Sequence, residues 1–279
     1  MEILAVGGSL WDILIELKTP FSGDDCYPSI ISRIPGGTAR NLAETAARLK
    51  VEVTLISPIA LDGIEKTIPT PGSITPIITN HTPTFIGVLS SQKKRLFSFH
   101  DTGPLDYLTV EEILPYLPDK PPAYVFLDTN LPAEVIFYLL KWSKSYDSIT
   151  MVDPIAPSRV TILSPYLSLI DIISPSEREY RVLANLGNLM DKTIIIKKGA
   201  EGVKLLSPSG SLISPTLHKG TIVSDNGAGD SFNGGFLYGL LKQYPLDECI
   251  RIGQTCASWC LKSPLNVNPD LSEKLIQNN

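Results

Sequence analysis

Short, continuously apolar runs alternate along this chain with segments of helical periodicity, and that alternation constrains the fold more than any other feature. Residues 3–6, 53–57, 124–127, 150–152, 170–173 and 193–197 read as strands. Most lack polar alternation, the pattern of strands covered on both faces. Between them, Leu42, Ala46 and Leu49 fall at i, i+4 and i+7, on one face of a helix. A second helical segment, 131–146, opens with Pro132, which suits a first turn, and carries Val135, Leu139 and Leu140. Strands and helices alternating in this way predict an α/β fold, a doubly wound and mostly parallel sheet flanked by helices.

Two stretches break the rhythm. Residues 82–100 read as a β-hairpin with a polar turn at 90–94, a flap beside the sheet, and the run Lys93-Lys94-Arg95 reads as its solvated turn, the lesser alternative being contact with an anionic ligand. Residues 64–82, rich in Pro, Thr and Ser, read as a connection. No linker divides the 279 residues, so the expectation is one domain over 1–279 with lid elements at about 13–34 and 82–101. A hydrophobic content of 43% against 19% charged residues supplies a large core. The net charge of −5 argues against a nucleic-acid partner, which calls for a basic face. No apolar run approaches the ~20 residues of a membrane span, the first residues lack a basic, cleavable leader, and the four cysteines form no C-x-x-C pair. A cytoplasmic protein is expected.

The most informative segment is Gly227-Ala228-Gly229-Asp230, a small-residue turn running into a helix with Phe232, Phe236 and Leu240 on one face. Such a helix start offers unpaired N–H groups to an anion. Asp230 is then either a helix cap or a general base beside a phosphate cradle. Gly36-Gly37 opens the earlier helix, with Asn41 able to donate to and accept from hydroxyls; the alternative is a plain turn capped by Thr38. Asp12, after Gly7-Gly8, is either a surface acid or a grip on the vicinal hydroxyls of a sugar. A P-loop and a G-x-G-x-x-G dinucleotide fingerprint are absent, and His81, His100 and His218 lack zinc spacing. Cys256 and Cys260 read as packing residues.

Gly36-Gly37-x-x-x-Asn41-x-Ala43 followed by Ala47-Arg48-Leu49 resembles the first signature of the PfkB, or ribokinase-like, carbohydrate kinases. Asn226-Gly227-Ala228-Gly229-Asp230-x-Phe232-x-x-Gly235 resembles the second, in the expected order. The resemblance implies an enzyme that phosphorylates the 5-hydroxyl of a ribosyl substrate from ATP with Mg2+. It also implies that Asp12, Gly36, Gly37 and Asn41 bind the sugar, that Gly227, Ala228 and Gly229 form the anion hole, and that Asp230 is the catalytic base. The hairpin would close over the sugar and, as in some members, pair two subunits into a homodimer. Within the family, residues 35–41, 127–131, 152–154 and 266–272 are most similar to pseudouridine kinases, and the last of these places Asn268 at the adenine pocket. Rival readings are a kinase for another nucleoside or for free ribose, and a catalytically weak ligand-binding paralogue.

Three positions depart from the family pattern. Asn-x-x-Glu is Ser176-x-x-Glu179 here, so Glu179 either supports a magnesium–water network or only closes a capping box. The Thr ahead of Gly-x-x-Gly is Lys197, before Gly199 and Gly202; it either pairs with nucleotide phosphates or ends a strand in solvent. The acid that often precedes the Gly-Ala-Gly turn is Ser224, with Asp225 next to it, which leaves a monovalent cation (K+) open.

Overall fold

Leu4 and Val6 face one apolar layer while Ile3 and Ala5 face another, and all four are sealed from solvent. The first strand is thus covered on both sides, as its unbroken apolar sequence requires. In the computed structural model, which describes residues 2–23 and 25–277, the chain runs β1 (Ile3–Val6), β2 (Leu10–Leu17), β3 (Ser29–Gly36), α1 (Thr38–Arg48), β4 (Val53–Ile59) and β5 (Ser73–Ile78). Next come β6 (Thr84–Leu89), β7 (Arg95–Asp101), the short α2 (Gly103–Asp106) and α3 (Val110–Ile113), β8 (Tyr124–Asp128), α4 (Ala133–Lys144) and β9 (Ile149–Asp153). The remainder is β10 (Ile172–Ile173), α5 (Glu177–Leu183), β11 (Thr193–Lys197), β12 (Val203–Ser207), β13 (Gly210–Ser214), α6 (Ala228–Leu241), α7 (Leu246–Cys260) and α8 (Glu273–Gln277).

The described residues form a large sheet in the order β13-β12-β11-β10-β9-β8-β1-β4-β5, parallel from β11 through β5 with an antiparallel hairpin, β12-β13, at the far edge. On one face, α1, α6 and α7 contribute Leu42, Ala46, Phe232, Phe236, Ile252 and Cys256 to the core. On the other, α4 contributes Val135, Ile136, Leu139 and Leu140. A second sheet, β3-β2-β6-β7, consists of two antiparallel pairs joined by the parallel pair β2/β6.

One expectation needs correction. Residues 64–82 are more than a connection, because β5 adds a parallel edge strand to β4. Pro76 hid it, but a proline is tolerated on an edge, where its missing N–H breaks no inner ladder. The expected lid elements, about 13–34 and 82–101, lie together in the second sheet, with β2 and β3 paired in register from Leu10 to Leu17. No helix among the described residues is long and apolar enough to cross a membrane.

Candidate active site

Asp230 lies where two cavities meet. The larger, about 570 Å³, is lined by Asp230, Gly229 and Ala228, by Lys197, Glu179, Gly199 and Gly202, and by the more apolar set Ile222, Gln254, Ala257 and Leu261. The smaller, about 420 Å³, holds Asp12, Gly37, Asn41, Phe85, Arg95, Asn226, Gly227 and Asn266. Thr38, Ile155 and Asp230 line both.

Two glycines of the smaller cavity sit in chain turns that leave no room for side chains. Gly227, with φ 76°, caps α6 in the left-handed region, and a Cβ there would stand 1.9 Å from the carbonyl oxygen of Asn266. Gly37, with φ 101°, is wedged against the Gly8 carbonyl, where a Cβ would fall 2.3 Å away. Both positions need glycine for conformation and for space. The buried Cys260 thiol lies 3.3 Å from the carbonyl oxygen of Asn226 and 3.2 Å from that of Asn266, joining the two segments. Burial pushes this thiol up to about 12, so it remains a donor. The amides of Gly229 and Asp230 find no backbone acceptor among the described residues, as expected in a first helical turn, and both residues line the larger cavity.

The carboxylate of Asp230 accepts from Asn41 Nδ2 at 2.8 Å. Asn41 is itself held by Arg40, whose Nη1 donates to Asn41 Oδ1 at 2.8 Å. Arg40 is 1% exposed and pairs with Glu44, one turn along α1. Opposite stands Asp153, at the end of β9, accepting from Lys197 Nζ at 2.6 Å, Asn233 Nδ2 at 2.8 Å and the Ile155 amide at 2.9 Å. Burial and the negative charge of Asp153 raise Asp230 to about 7, while Asn41 and Lys197 restrain the rise. A carboxylate in that range exchanges a proton near neutrality, as a general base must. Asp128, at the end of the adjacent β8, is raised to about 6 by burial, although it accepts from the amides of Gly8, Ala39 and Asn130.

In the smaller cavity Asp12 Oδ2 accepts from Asn266 Nδ2 at 2.5 Å. Burial raises the Asp12 pKa against that bond and against the charges of Arg40 and Arg95. Gly36 does not itself line the cavity; it packs behind Asp12 and Asn266, where a Cβ would collide with both. Thr38 is the first residue of α1 and faces the cavities, and its hydroxyl makes no cap.

Several sequence readings change in the folded chain. Asn268 lines neither cavity, because its amide donates to the Trp259 carbonyl and accepts from the Asp270 amide. Asn266, two residues earlier, is the one that reaches a cavity. Lys197 is not left in solvent; its side chain is 17% exposed and paired to Asp153. Ser176 and Glu179 do form the capping box, Ser176 N donating to Glu179 Oε2 at 2.6 Å, yet Glu179 also faces the larger cavity. Lys93 and Lys94 are exposed in the hairpin turn, whereas Arg95 begins β7 and lines the smaller cavity. Asp153 and Asn233 fall inside quoted motifs, at positions to which the sequence assigns no site role, and Arg95 lies in no motif; only the folded chain brings the three to the site.

Residues 4–273 match the model of the pfkB family carbohydrate kinases. The chain is 30% identical over 248 residues to a ribokinase of Haemophilus influenzae, covering 80% of this chain and 79% of that one. It is 22% identical over 294 residues to a pseudouridine kinase of Escherichia coli, covering 97% and 93%. Its fold is similar to that of an Arabidopsis thaliana ribokinase solved with ribose and ATP, with a TM-score of 0.80 at 18% identity over 99% of this chain and 97% of that one. A mostly parallel sheet with a second sheet beside it, and two cavities meeting at one carboxylate, accord with that kinship: the chain belongs to the pfkB family of carbohydrate kinases and is a sugar or nucleoside kinase.

Proposed function

We propose that the protein transfers the terminal phosphoryl group of ATP to the 5-hydroxyl of a ribosyl acceptor, and that the preferred acceptor is pseudouridine. The observation that carries this reading is the position of Asp230 at the junction of two cavities, one for each substrate. The nucleotide occupies the larger cavity with its phosphates toward Lys197 and the free amides of Gly229 and Asp230. The ribose occupies the smaller, its hydroxyls on Asp12 and Asn41. Its 5-hydroxyl then faces Asp230, which orients it and takes its proton as the new O–P bond forms, while the amides stabilise the charge on the phosphoryl oxygens. The second sheet acts as a lid that excludes water from this step.

Magnesium fits the donor cavity as a hydrated ion. No group of three or more potential His, Cys, Asp or Glu ligands gathers among the described residues, but Glu179 and Asp225 both line the cavity. One or two carboxylates, waters and nucleotide phosphates form the usual magnesium environment. The metal would supply charge neutralisation for the phosphates, with Glu179 holding its waters. Because glutamine also completes a capping box, Glu179→Gln should leave Tm unchanged and raise the magnesium concentration for half-maximal rate by about tenfold, the lower end for a metal's outer partners. An unchanged magnesium titration would remove Glu179 from the metal site.

Pseudouridine is supported by the local similarity of residues 35–41, 127–131, 152–154 and 266–272, and by a pseudouridine kinase relative that matches 97% of this chain. The higher identity to a ribokinase favours free ribose as the second reading. Measuring kcat/KM for pseudouridine, uridine, cytidine and ribose with one magnesium-ATP mixture separates them. Pseudouridine should be best, with uridine lower by roughly 5- to 150-fold, the equivalent of one unpaired buried polar group. Ribose in first place would replace the acceptor and leave the kinase reading standing.

A further inference from the structure

The smaller cavity contains a pair of side chains that the phosphoryl transfer does not use. Arg95 makes no hydrogen bond or ion pair with any described residue, so its guanidinium donors are free. The guanidinium carbon sits 5.8 Å from the centroid of the Phe85 ring. Phe85 lies opposite Asp12 in the β2/β6 register, and Arg95 is near enough to Asp12 to pull its pKa down. An aromatic face and an unmatched planar donor therefore stand beside the carboxylate assigned to the ribose hydroxyls. Both come from the second sheet, whereas Asp230 and Asn41 come from helices packed on the main sheet.

We infer that Phe85 and Arg95 form a nucleobase-recognition surface, which makes the acceptor a nucleoside whose base stacks on Phe85 and turns a carbonyl edge to Arg95. This rests on the reading of the smaller cavity as the acceptor site. A guanidinium donates and cannot accept, so it matches the carbonyl oxygens of a uracil-type ring. A π-face beside it recognises a flat ring, and a free pentose held at Asp12 has no flat group to place there. An anionic acceptor fits less well. Asp12 and Asp230 line the same cavity, and Arg95 is the one cation on its wall among the described residues. A carboxylate or phosphate on the acceptor would thus meet two carboxylates for one cation, whereas a neutral carbonyl adds no charge.

The test compares wild type with Arg95→Gln and Phe85→Leu, with Lys94→Gln on the exposed hairpin turn as control, each acting on pseudouridine, uridine, ribose and gluconate with magnesium-ATP. The ratio of nucleoside to ribose kcat/KM should fall by about tenfold or more in Arg95→Gln, as for loss of a charged hydrogen bond. It should fall in Phe85→Leu as well and hold in Lys94→Gln. A ratio unchanged in both cavity variants would overturn the inference while leaving the kinase intact. Gluconate as the best wild-type acceptor, and lost in Arg95→Gln, would overturn it in favour of an anion site. If wild type phosphorylates none of the four, the acceptor-site reading fails and the inference falls with it.

Discussion

Asp230→Asn should lower kcat by about 10²- to 10⁴-fold, the range for one positioned acid–base group. Asparagine keeps an oxygen to accept from Asn41 Nδ2 and stays in the first turn of α6, so acceptor affinity should change little. What it loses is the capacity to take a proton at the junction of the two cavities. The stability effect runs the other way. The pKa of Asp230 rises from 3.8 to about 7 in the folded chain, so between these values the native state holds a proton that the unfolded chain releases. Stability therefore falls as pH climbs through this window, and the ionised carboxylate is a liability above it. Removing that charge should raise Tm at pH 8 and alter it little at pH 4. A variant that loses activity while gaining stability at pH 8 marks a residue kept for chemistry. Near-normal kcat in Asp230→Asn would reduce Asp230 to a helix cap.

What the sequence reveals of this site follows how local each part is. The turn at 227–230 is legible because its glycines, helix start and acid are contiguous, and the same holds for Gly36-Gly37 with Asn41 one turn on. The strands of the parallel sheet are legible because burial on both faces leaves an unbroken apolar run, as in residues 193–197. The rest depends on tertiary approach. Asp153 and Lys197 are 44 residues apart and meet because β9 and β11 end together on the same side of the sheet, one on each side of β10. Asn266 and Asn268 occupy one short motif, and only the packing of that segment under Gly227 decides that the first faces Asp12 while the second turns to Trp259. Arg95 looks like the end of a basic turn until β7 pairs with β6 and lays the guanidinium toward Phe85. An edge strand carrying Pro76 imitates a loop for the opposite reason, because its ladder has one free side.

Lys197 and Asp153 should shift the activity of Asp230 in opposite directions along the pH axis. With Asp230 as the proposed base, kcat/KM of the free enzyme should rise with pH through its pKa of about 7, because only the ionised carboxylate can accept a hydroxyl proton. The positive charge of Lys197 holds that value down, and the negative charge of Asp153 pushes it up. Lys197→Met removes the cation and leaves Asp153, 3% exposed, without its ion-pair partner. The rising limb should then move to higher pH. At pH 7 the shift adds to the loss of the charged contact proposed for Lys197 with the nucleotide phosphates, worth about 10- to 150-fold in kcat/KM by itself. Asp153→Asn removes the opposing charge while keeping a polar amide among Lys197, Asn233 and the Ile155 N–H, so its limb should move to lower pH. Purely structural damage would depress the rate at every pH without moving either midpoint. Full pH profiles of wild type and both variants, with Tm measured alongside, distinguish these cases. Limbs that stay at the wild-type position in both variants would refute electrostatic tuning of Asp230 by this pair.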